Sequence, residues 1–114
     1  MLSDEVRYNL LQLLEENPAM SQRDVARHLG MSLGRVNFCL QALVQKGLLE
    51  ATNFKNNRRK LAYSYFLTPR GIQEKARVTA RFLKKKIQEY AELRAYIARI
   101  RDDVNRNARR RRSP

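Results

Sequence analysis

The 114-residue chain has one cysteine, one histidine, no tryptophan, three prolines and 11 acidic residues. Each scarcity closes off a class of function. A lone Cys39 rules out an internal disulfide framework and fits a reducing, cytoplasmic setting. A lone His28 leaves no histidine-based metal cluster and no histidine-centred triad. No phosphate-binding glycine loop is present either. Neither an enzyme nor a bound cofactor is expected. No apolar run approaches the ~20 residues that a bilayer demands. The acidic start Met1-Leu2-Ser3-Asp4-Glu5 is unlike a secretory signal, so no membrane role is expected.

What the chain has in abundance is positive charge: 24 Lys and Arg, a formal net of +13. Such an excess favours a polyanionic partner, nucleic acid before a membrane surface. Two clusters hold much of it. Residues 105–114 contain Arg106, Arg109, Arg110, Arg111 and Arg112 and no acid. With nothing apolar to pack, this Arg-rich stretch is expected to be a disordered tail. The remaining 104 residues keep 19 bases against 11 acids, a net of +8. Within them, residues 53–71 carry Lys55, Arg58, Arg59, Lys60 and Arg70, again without an acid.

The local signals predict a mainly α fold with a small β-hairpin. Ser3 caps a first helix whose stripe is Val6, Leu10, Leu13 and Leu14, and Asn17-Pro18 ends it. Ser21-Gln22-Arg23-Asp24 resembles a capping box opening a second helix, with Val25, Ala26 and Leu29 facing the core. Gly30 stops that helix and Ser32 at once caps a third, with Leu33, Val36, Leu40, Leu43 and Val44 as its apolar positions. Two helices joined so tightly make a helix-turn-helix. After Gly47 the period changes from 3.6 to 2. Leu48 to Phe54 and Leu61 to Leu67 read as strands, the second with Leu61, Tyr63, Tyr65 and Leu67 on one face. Lys55 to Lys60 is the tip between them. Thr68-Pro69 then starts a long helix, predicted to run to about Val104.

The expected organisation is a winged helix-turn-helix over residues 1–68, a long C-terminal dimerisation helix over 69–104, and the tail over 105–114. Leu83, Ile87, Tyr90, Leu93, Ile97, Ile100 and Val104 recur at three- and four-residue spacing along that helix. With little chain left to cover them, they read as the seam of a homodimer.

Off the apolar stripe of the third helix lie Ser32, Gly34, Arg35, Asn37, Phe38 and Gln41. Arginine pairs bidentately with guanine, and asparagine or glutamine with adenine, on a major-groove edge. Gly34 would admit a close phosphate, and Phe38 could meet a thymine methyl or pack on the wing tyrosines. An amide-rich, unionised face is unusual for a merely solvated helix, which favours Lys and Glu. Lys55, Asn57, Arg58, Arg59 and Lys60 on the wing would contact phosphates or enter the adjacent minor groove, although basic hairpins also resist pairing with other chains. Ser21, Gln22 and Arg23 open the second helix beside this face. Cys39 reads as a small core residue and His28 as a surface residue of the second helix.

Double-stranded DNA is the expected partner. An RNA-binding winged helix and a protein-interaction adaptor using the seam are the alternatives. No small-molecule effector can be named from these residues.

The run "SQRDVARHLGMSLGRVNFCLQALVQKGLLE", followed by "NNRRKLAYSYFLTPRG", resembles the MarR-type winged-helix transcriptional regulators. Over Leu2 to about Leu93 the chain is similar to the short bacterial members associated with exopolysaccharide (EPS) operons. The resemblance implies a cytoplasmic, dimeric regulator of transcription that binds double-stranded DNA.

Overall fold

The computed structural model describes residues 2–56 and 59–112, with side chains described outside residues 53–63. The elements follow in the order α1 (Asp4–Glu16), α2 (Gln22–Leu29), α3 (Leu33–Gln45), β1 (Leu49–Asn56), β2 (Arg59–Leu67) and α4 (Pro69–Arg112). The chain divides into two compact units, Met1–Phe82 and Leu83–Pro114.

Three serines start the first three helices in the same way. Ser3, Ser21 and Ser32 each accept a hydrogen bond from the backbone N–H three residues on, at 3.2, 3.1 and 3.2 Å. Each satisfies one of the donors that a helix start leaves without a partner, worth about 1 kcal/mol. The capping box at Ser21 is only half formed in this way, because the Asp24 carboxylate turns to Arg27 at 3.4 Å. Gly30 ends α2 with φ +64°, and the N–H of Met31 reaches back to the Ala26 carbonyl at 3.0 Å. That left-handed residue is what lets Ser32 cap α3 two positions later.

The core of the first unit joins Leu10, Leu11 and Leu14 of α1 to Val25 of α2 and to Val36, Cys39, Leu40 and Leu43 of α3, with Leu48, Leu49 and Tyr65 closing it from the hairpin. Leu11 is fully buried although it lies off the stripe read from the sequence, on which Val6 and Leu13 are only half-buried. The reason is that α1 is covered twice. Its Asp4–Tyr8–Leu11–Glu15 face meets the first turns of α4, where Asp4 holds Arg81 through two hydrogen bonds of 3.0 Å, Tyr8 stacks on Phe82 at 5.1 Å, and Glu15 accepts from Lys75 at 2.8 Å.

The start of α4 is keyed to the end of α3. Thr68 accepts from the N–H of Gly71 at 3.0 Å and donates to the Gly47 carbonyl, while its own N–H bonds the Leu48 carbonyl. Gly71 is buried, and a Cβ there would sit 2.0 Å from the Leu48 oxygen. Only a residue without a side chain allows this approach. The compact unit therefore extends to Phe82, past the boundary expected at Thr68, because the first turns of α4 belong to its packing.

The strands also differ from their expected bounds. The antiparallel ladder continues through Phe54↔Ala62 to Asn56↔Arg59, with a register shift between Phe54 and Asn56. The expected six-residue tip shrinks accordingly, because backbone groups pair along the ladder whatever the polarity of their side chains. At the other end the N–H of Tyr65 bonds the Pro18 carbonyl at 3.1 Å, tying β2 to the α1–α2 turn. Both Ser64 and Tyr65 are buried, while Leu67 is half-buried.

The second unit is the remainder of α4. The helix does not stop at Val104 but continues to Arg112, so the stretch expected to be a disordered tail is helical through that residue. No proline or glycine intervenes, arginine is a good helix former, and four arginines in the last turn complement the negative end of the helix dipole. Asp103 also pairs with Arg106 one turn on. Every residue from Leu83 to Arg112 is exposed in the single chain, including the seven apolar seam positions.

Candidate nucleic-acid interface

The residues of α3 expected to read DNA lie on one exposed surface. Val36, Cys39, Leu40 and Leu43 turn into the core, and Ser32, Gly34, Arg35, Asn37, Phe38 and Gln41 are all exposed. The 3.6-residue period alone accounts for this division. One detail departs from expectation. Leu33, assigned to the apolar stripe, is 43 % exposed and joins the outer surface, since it precedes the first position that the core of α1 and α2 covers. Phe38 is 66 % exposed.

Gly34 stands in the first turn of α3, and a Cβ built there would meet nothing within 4 Å. Its lack of a side chain is therefore not required by this fold. It leaves backbone N–H groups of a helix N-terminus uncovered, which suits an anion.

The amides of this face are linked. Gln22 donates to the Tyr65 hydroxyl at 3.2 Å and to Oδ1 of Asn37 at 3.3 Å, and Gln41 donates to the same Oδ1 at 3.5 Å. These residues line a groove of about 390 Å³ with Val44, Gln45 and Ala51, between α3 and the base of the hairpin. Sequence reasoning placed Tyr65 on a strand face and missed its part here. The available signal was a tyrosine at a buried strand position, whose hydroxyl needs a polar partner.

Ser21, Gln22 and Arg23, expected beside the reading face, meet there. With Asp24, Arg27 and Leu33 they line a shallow depression of about 480 Å³ at the start of α2. Arg23 and Arg27 are exposed. On the wing, Lys55 lies in β1 and Arg59 and Lys60 in β2, with side chains outside the described set; Asn57 and Arg58 lie outside the described residues.

Cys39 is 1 % exposed, and burial pushes its thiol up from its ordinary value, outweighing the opposite pull of the Arg35 charge. A reactive thiol needs a lowered pKa, so this cysteine behaves as a core residue. His28 is exposed, its Nδ1 3.1 Å from the Asp24 carbonyl. Among the described residues no group of acids, cysteine and histidine could hold a metal, and no helix is long and apolar enough to cross a membrane.

Residues 3–50 match the family model of the winged helix-turn-helix DNA-binding domain. No curated protein matches the chain. Among solved structures it is similar to the PcaV transcriptional regulator of Streptomyces coelicolor, determined with its natural ligand, at 21% identity and a TM-score of 0.60, over 84% of this chain and 72% of that one. FabT of Streptococcus pneumoniae, determined in complex with DNA, aligns at 21% identity and a TM-score of 0.53, over 75% of this chain and 58% of that one. A MarR family protein of Mycobacterium tuberculosis, determined with salicylic acid, aligns at 23% identity and a TM-score of 0.51, over 65% and 53% respectively. The chain thus spans less than two thirds of the length of the last two. At such identities these neighbours speak for the fold alone. The chain has the winged helix-turn-helix fold shared by MarR-type regulators, with a long C-terminal helix.

Proposed function

We propose that this protein is a cytoplasmic, homodimeric regulator of transcription that occupies an operator in double-stranded DNA. The observation that carries the reading is the exposed row Arg35, Asn37, Phe38 and Gln41 on α3, within the segment matched by a DNA-binding family model. In this reading α3 lies in the major groove. Arg35 and the amides meet base edges, Gly34 and the start of α2 with Ser21, Gln22 and Arg23 meet phosphates, and the basic wing follows the backbone beside them. Support for two copies comes from the exposed seam Leu83, Ile87, Tyr90, Leu93, Ile97, Ile100 and Val104. Two copies double the half-sites and turn the second contact into a tethered event. The resemblance to the exopolysaccharide-associated regulators extends the proposal to operators of exopolysaccharide genes.

Competition binding tests the reading. A labelled genomic duplex recovered with the protein from cells is challenged with random duplex and with structured RNA. Preference for the recovered duplex by a thousandfold or more is the expected order for specific over nonspecific DNA. Equal displacement by structured RNA would replace this reading with an RNA-binding one. Sedimentation of the chain alone checks the dimer, and a monomer would point instead to an adaptor that docks a different chain.

A further inference from the structure

We infer that the distal part of α4 pairs with the same segment of a second copy in parallel and in register. The inference rests on the dimeric reading above and gives that interface its geometry. The apolar residues of the segment fall into heptads, with Tyr90, Ile97 and Val104 at the first core position (a) and Leu93 and Ile100 at the second (d). All five are between 44 and 61 % exposed, so each leaves apolar surface for a partner to cover. β-Branched residues at the first core position with leucine at the second favour two parallel strands. Ile97 and Val104 with Leu93 follow that pattern, whereas Tyr90 and Ile100 do not.

The flanking residues decide the orientation. The heptad frame puts Glu89, Tyr96 and Asp103 on one shoulder of the seam (g) and Arg94 and Arg101 on the other (e). In a parallel pair each first-shoulder residue meets the opposite shoulder of the partner five positions further on. Glu89, which accepts from Lys86 at 3.1 Å within one chain, then also meets Arg94 of the second copy, and the symmetry axis repeats the ion pair. Tyr96, with Arg99 of its own chain over one face at 5.5 Å, offers the other to Arg101 of the second copy. An antiparallel pair instead brings like shoulders together. With Ile97 opposite Leu93 of the second copy, Arg94 faces Arg94 and Glu89 faces Asp103. Shifted by one core layer, with Ile97 opposite Ile100, Arg94 faces Arg101. The arginine-rich end does not reverse the choice, because the first antiparallel arrangement lays Arg106 near Lys84 of the other copy. Within one chain Arg94 already lies over the Tyr90 ring at 5.8 Å, which keeps its charge beside the seam.

Two measurements on the full chain test this. The first is disulfide formation in Tyr90→Cys and, separately, Val104→Cys, with Cys39 buried in the core of the first unit. A parallel in-register pair brings each position within bridging distance of its own copy, so both variants should form covalent dimers under mild oxidation. In the first antiparallel arrangement the two copies of position 90, and likewise of 104, lie on the order of 15 Å or more apart along the axis. The second measurement is the dimer dissociation constant of Arg94→Glu. It should rise about tenfold, as two attractive pairs become repulsive ones, and Glu89→Lys in the same chain should restore it. If Arg94→Glu tightens the dimer, or if only one cysteine variant cross-links, the parallel geometry is wrong although the dimer stands. A chain that sediments as a monomer removes the dimeric reading itself, and a trimer or tetramer removes the two-stranded pairing.

Discussion

The hydroxyl of Tyr65 in β2 accepts a hydrogen bond of 3.2 Å from Gln22 in the first turn of α2, across 43 residues of sequence. The same amide group of Gln22 also reaches Asn37 on α3. A buried residue of the hairpin is thereby linked to an exposed amide that would meet DNA. Tyr65→Phe should lower stability by about 1 kcal/mol, the usual worth of one hydrogen bond. It should also reduce discrimination between operator and random duplex, because Gln22 and Asn37 lose a fixed orientation. Urea unfolding and paired binding titrations would check it. Unchanged discrimination would mean that the network is only structural.

Arg35→Ala and Gln41→Ala should each cost about 1–3 kcal/mol of discrimination between operator and random DNA, if their polar ends read base edges. Both side chains are exposed, so the fold should be unaffected. Equal losses on the two DNAs would reassign them to phosphate contacts. No loss on either would take them out of the interface.

Gly34→Ala separates folding from binding. An added methyl meets nothing in the free protein, and alanine is the better helix former, so stability should rise by up to about 1 kcal/mol. Operator affinity should nevertheless fall, because the methyl stands where a phosphate is expected to approach the backbone. A stabilised variant with undiminished affinity would show that the backbone at this turn does not touch DNA.

Burial raises the pKa of the Cys39 thiol above its unfolded value. The neutral thiol is therefore favoured by the folded state, and the associated stability is fully present below the unfolded pKa. It is lost as pH rises through the raised folded value. The expected outcome is slow alkylation of Cys39 at neutral pH without denaturant, with rapid labelling once the protein unfolds. Cys39→Ala should remove part of the stability loss on going to alkaline pH. Fast labelling of the folded protein would instead mark an accessible, reactive thiol.

Leu93→Asp with Ile97→Asp should turn a dimer into a monomer while leaving the first unit folded, since neither residue belongs to its core. Four carboxylates would otherwise be buried in the seam without partners. Operator affinity should drop by about 10²–10⁴ on losing the tethered second contact. Sedimentation and circular dichroism together check the outcome. A double variant that stays dimeric and helical would place the subunit contact elsewhere.

Much of this fold rests on interactions a few residues long, and those were legible in the sequence. Ser3, Ser21 and Ser32 each bond a backbone group three positions away, and Gly30 adopts a conformation that needs no distant partner. The outward row of α3 follows from helical period once Val36, Leu40 and Leu43 point inward. Only the tertiary structure decided the features that depend on which elements meet. Leu11 is buried on the face of α1 whose Tyr8 and Glu15 meet α4, and the N–H of Tyr65 finds the Pro18 carbonyl. Gly71 carries no local sign of its neighbour, yet a Cβ there would collide with the Leu48 carbonyl. Tyr65 and Gln22 carry no shared local pattern, since their bond is made by the packing of a strand beside a helix start. The limits of α4 divide in the same way. Its start at Thr68-Pro69 is a local signal, while its hold on the first unit as far as Phe82 depends on the partners that α1 supplies, Asp4, Tyr8 and Glu15.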